Sequence, residues 1–174
     1  MSGTGSSRGN PSMGDIFRSI AVLGGIILAL FVVGRIVTIT PDQPTRAVDY
    51  REAVESSRTV SEFDLYAPRS LPQGWRATSV RFEENAWHLG VVTVEDDYVG
   101  LEQVADSPKR AIERFADGST ASGETVIGRE TWRLRTGPDD DLTYVRRDTG
   151  NTIVVTGTAP RPVMERYISS LSAS

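Results

Sequence analysis

The sequence predicts an α+β protein: a single N-terminal transmembrane helix, then a mainly antiparallel sheet of about six or seven strands with two or three helices packed on one face. Three patterns predict it. One long apolar run, Ile16 to Ile39, stands near the N-terminus. From Trp75 onward, short runs rich in Val, Thr, Tyr and Trp alternate with turn residues. Between and after these runs, two segments repeat their apolar residues at helical spacing.

Residues 1–15 form a polar, Gly/Ser-rich tail, expected to be disordered and cytoplasmic. The tail contains a literal G-x-S-x-G at Gly5 to Gly9, the esterase pattern. That motif needs a strand, a sharp turn and a helix around its serine, which such a tail does not supply, so the match is rejected.

Residues 16–39 are the expected membrane span. Ile20 to Gly34 carry no charge and no strongly polar group. A helix over 16–39 would be about 36 Å long, enough for a bilayer core of about 30 Å. Arg18 and Arg35 lie near its ends, where their side chains can reach the headgroups. A cleaved signal peptide is the rival reading, but RIVTITPDQ lacks the small-x-small cleavage pattern. Arg8 and Arg18 on one side nearly balance Arg46 and Arg51 on the other, and the short polar tail favours an inside N-terminus. The protein is then a single-pass component of the cell membrane with its C-terminal domain extracytoplasmic.

Residues 40–69 read as a juxtamembrane linker and helix. The helix opens at Asp49 with Ala53 and Val54 on its apolar side, and FDLYAPRSLPQGW follows as extended, proline-broken chain. Residues 70–174 are the expected extracytoplasmic α+β domain. WRATSVRFEE, WHLGVVTVE and YVGLEQVA read as strands. A helix follows, with Ser107 as N-cap, Pro108 in the first turn, Ala111, Ile112 and Phe115 on one face, and Gly118 past its end. ETVIG, RETWRLRTG, LTYVRR and NTIVVTG are four more strands, with turns at PDDD and DTGN. In PVMERYISSL, Val163, Tyr167, Ile168 and Leu171 recur at helical spacing. Short connections imply antiparallel neighbours.

Charge excludes one class of partner. Residues 1–40 carry Arg8, Arg18 and Arg35 against Asp15, a balance of +2; residues 41–174 carry 16 basic and 22 acidic side chains, a balance of −6. Nucleic-acid binding rests on neutralising phosphates with a basic surface, and this domain has the opposite bias. Metal and catalytic chemistry are equally short of parts. With no cysteine and one histidine, a zinc site has almost no ligands to draw on, and the acidic clusters Glu95–Asp97 and Asp139–Asp141 lack calcium-loop spacing. No phosphate loop is present, and no serine has a plausibly placed histidine in the linear sequence. No catalytic residue, metal ligand or cofactor is therefore expected.

The only histidine lies in WHLGVVTVEDDYVGLEQ, residues 87–103, which reads as a hairpin with its turn near Glu95–Asp97. The two registers considered put His88, Gly90, Val92, Val99, Leu101 and Gln103 on one face, and Trp87, Leu89, Val91, Gly100, Glu102 and Val104 on the other. His88 then forms a hydrogen-bonded pair with Gln103. Glu102, a carboxylate among Trp87, Leu89 and Val91, needs a cation, and Arg133 or Arg135 is the expected one. On that structural reading Glu102→Ala strands a buried guanidinium and costs about 3–5 kcal/mol. The functional reading makes Trp87, Gly100 and Glu102 a surface for a ligand or partner, with the glycine leaving room on the sheet.

LPQGWRATSVRF, WHLGVVTVEDDYVGLEQ, TVIGRETWRL and TIVVTGTA, in that order behind one apolar helix, resemble domain-of-unknown-function family 4245. YVGLEQ at Tyr98 to Gln103 is the most specific element, and the likeness covers roughly residues 15 to 172. The resemblance implies a membrane-anchored protein of high-GC Gram-positive bacteria and transfers no activity or catalytic residue. The Pro-x-Gly-Trp entry and strand order are also similar to photosystem-associated PsbP-like and mycobacterial LpqN-like domains, a likeness of fold alone. The expected function is a non-enzymatic module that binds an envelope protein or other envelope component. The alternatives are a ligand or lipid carrier with a cavity between sheet and helices, and a hydrolase without a recognisable motif.

Overall fold

The computed structural model describes residues 48–173. Their elements, in chain order, are α1 (Tyr50–Arg58), β1 (Tyr66–Pro68), β2 (Arg76–Glu83), β3 (Ala86–Val92), β4 (Tyr98–Val104), α2 (Pro108–Phe115), β5 (Thr120–Ile127), β6 (Glu130–Thr136), β7 (Leu142–Arg147), β8 (Thr152–Gly157), α3 (Arg161–Ser170) and β9 (Leu171–Ala173). The expected alternation of three strands, a helix, four strands and a helix holds, with β5 starting earlier than ETVIG suggests. Seven strands form one antiparallel sheet in the order β2-β3-β4-β8-β7-β6-β5. It consists of two meanders, β2–β4 and β5–β8, joined through β4 and β8, with α2 as the connection between them.

Local chemistry accounts for the boundaries. Asp49 caps α1 by accepting the Arg51 amide at 3.0 Å, and Ser107 with Pro108 opens α2 as its pattern predicts. Glu83 pairs with Ala86 across the two-residue turn Glu84–Asn85, whose φ values of 50° and 56° are both left-handed. That is the primed turn whose twist matches the strands it joins.

The helices cover both faces of the sheet, contrary to the one-face expectation. On one face, Trp87, Leu89, Leu101, Tyr144, Ile153 and Val155 are buried under Tyr50 and Val54 of α1, Leu65, and Met164, Tyr167 and Ile168 of α3. On the other, Val104, Val145 and Val154 pack against Ala111, Ile112 and Phe115 of α2. The middle strands β4, β8 and β7 each bury apolar side chains on both sides, so each side needs a cover. The α2 crossover provides the second.

The domain also begins earlier than residue 70. Tyr50, Val54, Leu65 and Ala67 belong to the same core as Trp87, so the segment read as a juxtamembrane linker and helix is part of the fold. Tyr50 Oη donates to the Pro68 carbonyl at 3.0 Å, and β1 pairs with the C-terminal β9. Gln103 ties this segment to the sheet. Its Oε1 accepts the Tyr66 amide at 2.9 Å, and its Nε2 donates to Asp64 O at 2.6 Å and Asn151 Oδ1 at 3.1 Å. Arg146, 7% exposed, lies between the rings of Tyr66 and Trp132 and is ion-paired to Glu130 at 2.9 Å. The expected tail at 1–15 and span at 16–39 lie outside the described residues. Among the described residues no helix is long and apolar enough to cross a membrane.

Candidate functional site

The β3–β4 hairpin has a register that the turn alone does not predict. Val92 pairs with Tyr98, enclosing the five residues Thr93–Asp97, and the pairing continues as Gly90 with Gly100, His88 with Glu102, and Trp87 with Gln103. Thr93 organises this loop. Its Oγ1 accepts the amides of Glu95 and Asp97, each at 3.2 Å, and its own amide donates to Asp97 O at 2.9 Å. Asp96 takes a left-handed φ of 64°, a conformation Asp tolerates better than most residues.

An odd-numbered loop moves every residue of β4 to the opposite partner face from the expected arrangement. Trp87, Leu89 and Val91 share their face with Val99, Leu101 and Gln103. His88, Gly90 and Val92 share the other with Tyr98, Gly100 and Glu102. Trp87 is therefore a core residue, fully buried, while Gly100 and Glu102 lie on the opposite side of the sheet. The three do not form one surface. Gln103 is not the partner of His88, and neither Arg133 nor Arg135 meets Glu102: Arg133 is exposed, and Arg135 Nε donates to Ser119 Oγ at 2.8 Å.

The partner of Glu102 is instead the histidine. His88 Nδ1 is 2.5 Å from Glu102 Oε1, directly across the hairpin, and His88 Nε2 is 2.7 Å from Ser79 Oγ on β2. Ser79 pairs with Gly90, two positions along β3 from His88, so the three side chains cross adjacent strands in one line. Ser79 follows a register shift in β2, and the Thr78 hydroxyl beside it donates to Gly90 O at 3.3 Å. Side chains of His88 and Glu102 are only 14% and 12% exposed, which keeps their contact poorly screened. When Nδ1 donates to the carboxylate of Glu102, Nε2 presents its lone pair to the serine hydroxyl.

Beside this line lies a floor of two glycines. Gly90 and Gly100 are paired across the hairpin, and the Tyr98 ring lies over both. A Cβ on Gly90 would collide with Ser79 Oγ and stand 3.0 Å from Tyr98 Oη; one on Gly100 would stand 2.9 Å from the same hydroxyl. The serine and tyrosine hydroxyls therefore both reach the space above Gly90, which only a residue without a Cβ leaves to them. Burial, and then the charge of Glu102, push the Tyr98 phenol above its ordinary value, so it stays a hydrogen-bond donor at neutral pH.

A polar cleft of about 440 Å³ lies elsewhere, near Pro108, and is lined by Arg129, Arg133, Arg146 and Arg147. Glu124 and Glu130 share it, and Arg146 is already bound to Glu130, so much of its charge is answered internally.

Ser79 and Tyr98 are the site residues that sequence reading missed. Yet the apolar alternation of the two strands held the signal: matching Leu89 and Val91 with Val99 and Leu101 selects the observed register and brings Glu102 to His88. The cost of removing Glu102 changes accordingly. No guanidinium is stranded; Glu102→Ala instead leaves one imidazole N–H without a partner in a mostly buried site. The expected loss is roughly 1–3 kcal/mol, and Glu102→Gln, which keeps an acceptor, should lose less. Urea unfolding of both variants checks this ordering.

Fold and site together define a small α+β domain with a two-sided core and a hydrogen-bonded Ser–His–Glu line on the outer side of one meander. The chain belongs to the family described as protein of unknown function (DUF4245), whose model matches residues 8–171. No curated protein matches it.

Proposed function

We propose that this protein is a single-pass membrane protein whose extracytoplasmic domain binds an envelope protein or other envelope component at the outer side of β2–β4. The anchor is argued from the length and apolarity of residues 16–39. The observation that carries the binding reading is the grouping of Ser79, His88 and Tyr98 around the glycine floor of Gly90 and Gly100, clear of the contacts made by α2. Such a rigid polar patch with an exposed aromatic edge suits recognition, and recognition alone requires no turnover. A carrier would hold its ligand between sheet and helices. In the described residues that layer is occupied by Trp87, Leu89, Met164 and Tyr167, each at most 2% exposed.

Two experiments test the reading. A photo-crosslinking residue at Arg81, exposed on the same side as His88, should yield adducts in native membranes, whereas one at Val126 on β5 should not. Equal yields from the two positions count against this face. For topology, protease added to intact wall-stripped cells should remove the C-terminal domain and leave the tail protected. Survival of the domain until lysis refutes the orientation, and a mature chain starting near Pro41 refutes the anchor.

A further inference from the structure

We propose that Ser79 is an activated nucleophile that accepts the acyl group of a carboxylic ester, with His88 as its general base and Glu102 holding the imidazole. The proposal rests on the premise of the binding reading, that this side of β2–β4 is open to partners, and adds chemistry to it. Glu102 meets only one of the two ring nitrogens of this mostly buried imidazole. Here the second nitrogen is also aimed, at 2.7 Å, at a hydroxyl on the neighbouring strand, while Glu102 at 2.5 Å selects the tautomer that leaves that nitrogen basic.

The remaining requirement of acyl transfer is a donor where negative charge develops. Tyr98 Oη and Ser79 Oγ both lie close above Gly90, where a Cβ would press on each of them. In the step, Oγ bonds to the acyl carbon as its proton passes to His88 Nε2. The carbonyl oxygen becomes an oxyanion that accepts from the Tyr98 hydroxyl. Collapse breaks the ester C–O bond, and Nε2 returns the proton to the departing alcohol. Water then attacks the acyl-serine, giving its proton to Nε2, and Ser79 recovers that proton as the acid leaves. Ester and water become acid and alcohol, with no other reactant.

The test treats the full chain in native membranes with a biotinylated alkyl fluorophosphonate, which loses fluoride on capture by an activated serine. The label should map to Ser79 and vanish in Ser79→Ala. It should form at least ~100-fold more slowly in His88→Gln, the usual scale of a lost general base. In Tyr98→Phe the loss of one oxyanion donor should likewise cost ~100-fold or more. Thermal melts show which variants keep their fold; if His88→Gln does not, Tyr98→Phe decides, since it keeps the ring and removes only the hydroxyl. Labelling no faster than in heat-unfolded protein, labelling at another residue, or an unchanged rate in a folded His88→Gln or Tyr98→Phe overturns the proposal. Crosslinks from Arg81 without any Ser79 label reject the nucleophile and retain the binding face; label without crosslinks does the reverse.

Discussion

Trp87→Ala should cost about 3–5 kcal/mol and lower the thermal midpoint by roughly 10–20 °C. The indole is fully buried on β3, between Phe82 of β2 and Gln103 of β4 in the ladder, in the core that α1 and α3 close. Removing it forfeits both transfer free energy and the contacts of its neighbours, because strands held by hydrogen bonds on either side cannot collapse into the space. Trp87→Phe separates packing from polarity. The indole Nε1 is buried without a hydrogen-bond partner, so exchanging it for an apolar ring removes a desolvated donor while retaining much of the volume. The phenylalanine variant should therefore lose much less than the alanine variant, by far-UV circular dichroism melts of the full chain in mild detergent. A Trp87→Ala variant that melts like wild type would return this residue to the surface.

Gly157→Ala should be about as damaging, roughly 3 kcal/mol or more, by the opposite mechanism of overpacking. Gly157 ends β8 opposite Val99, and its missing side chain lets the chain pass close to the start of β4. An added Cβ would collide with the Tyr98 carbonyl oxygen and stand 3.1 Å from both the Tyr98 carbonyl carbon and Val99 Cα. These are backbone atoms, so no rotamer change relieves the clash. The same crossing places Tyr98, whose amide donates to Thr158 Oγ1 at 2.9 Å and whose carbonyl accepts the Thr158 amide at 3.0 Å. Displacing it should disturb the glycine floor as well as the core. Gly150→Ala is the control: it has open space around it but a left-handed φ of 78°, and should cost only about 1–2 kcal/mol of backbone strain. Comparable melts for the two variants would remove the steric argument.

The caps at Asp49 and Ser107, the proline opening α2 and the two-period alternation of β2 to β8 act within a few residues of chain. For that reason the sequence by itself determined the order and type of the main elements and the antiparallel pairing. YVGLEQ likewise carried its family resemblance as a local pattern. Which faces those elements share is a property of the assembled sheet. Thr93 gathers the amides of Glu95 and Asp97 into a five-residue loop, and that one-residue difference in parity sends Trp87 into the core and Glu102 to His88. The side on which α2 packs, and the return of β9 onto β1 across more than a hundred residues, depend on apolar surfaces that exist only once the two meanders have joined. Ser79 entered the site by the same route: 9 positions from His88 and 23 from Glu102 in the chain, it meets them only because β2, β3 and β4 lie side by side.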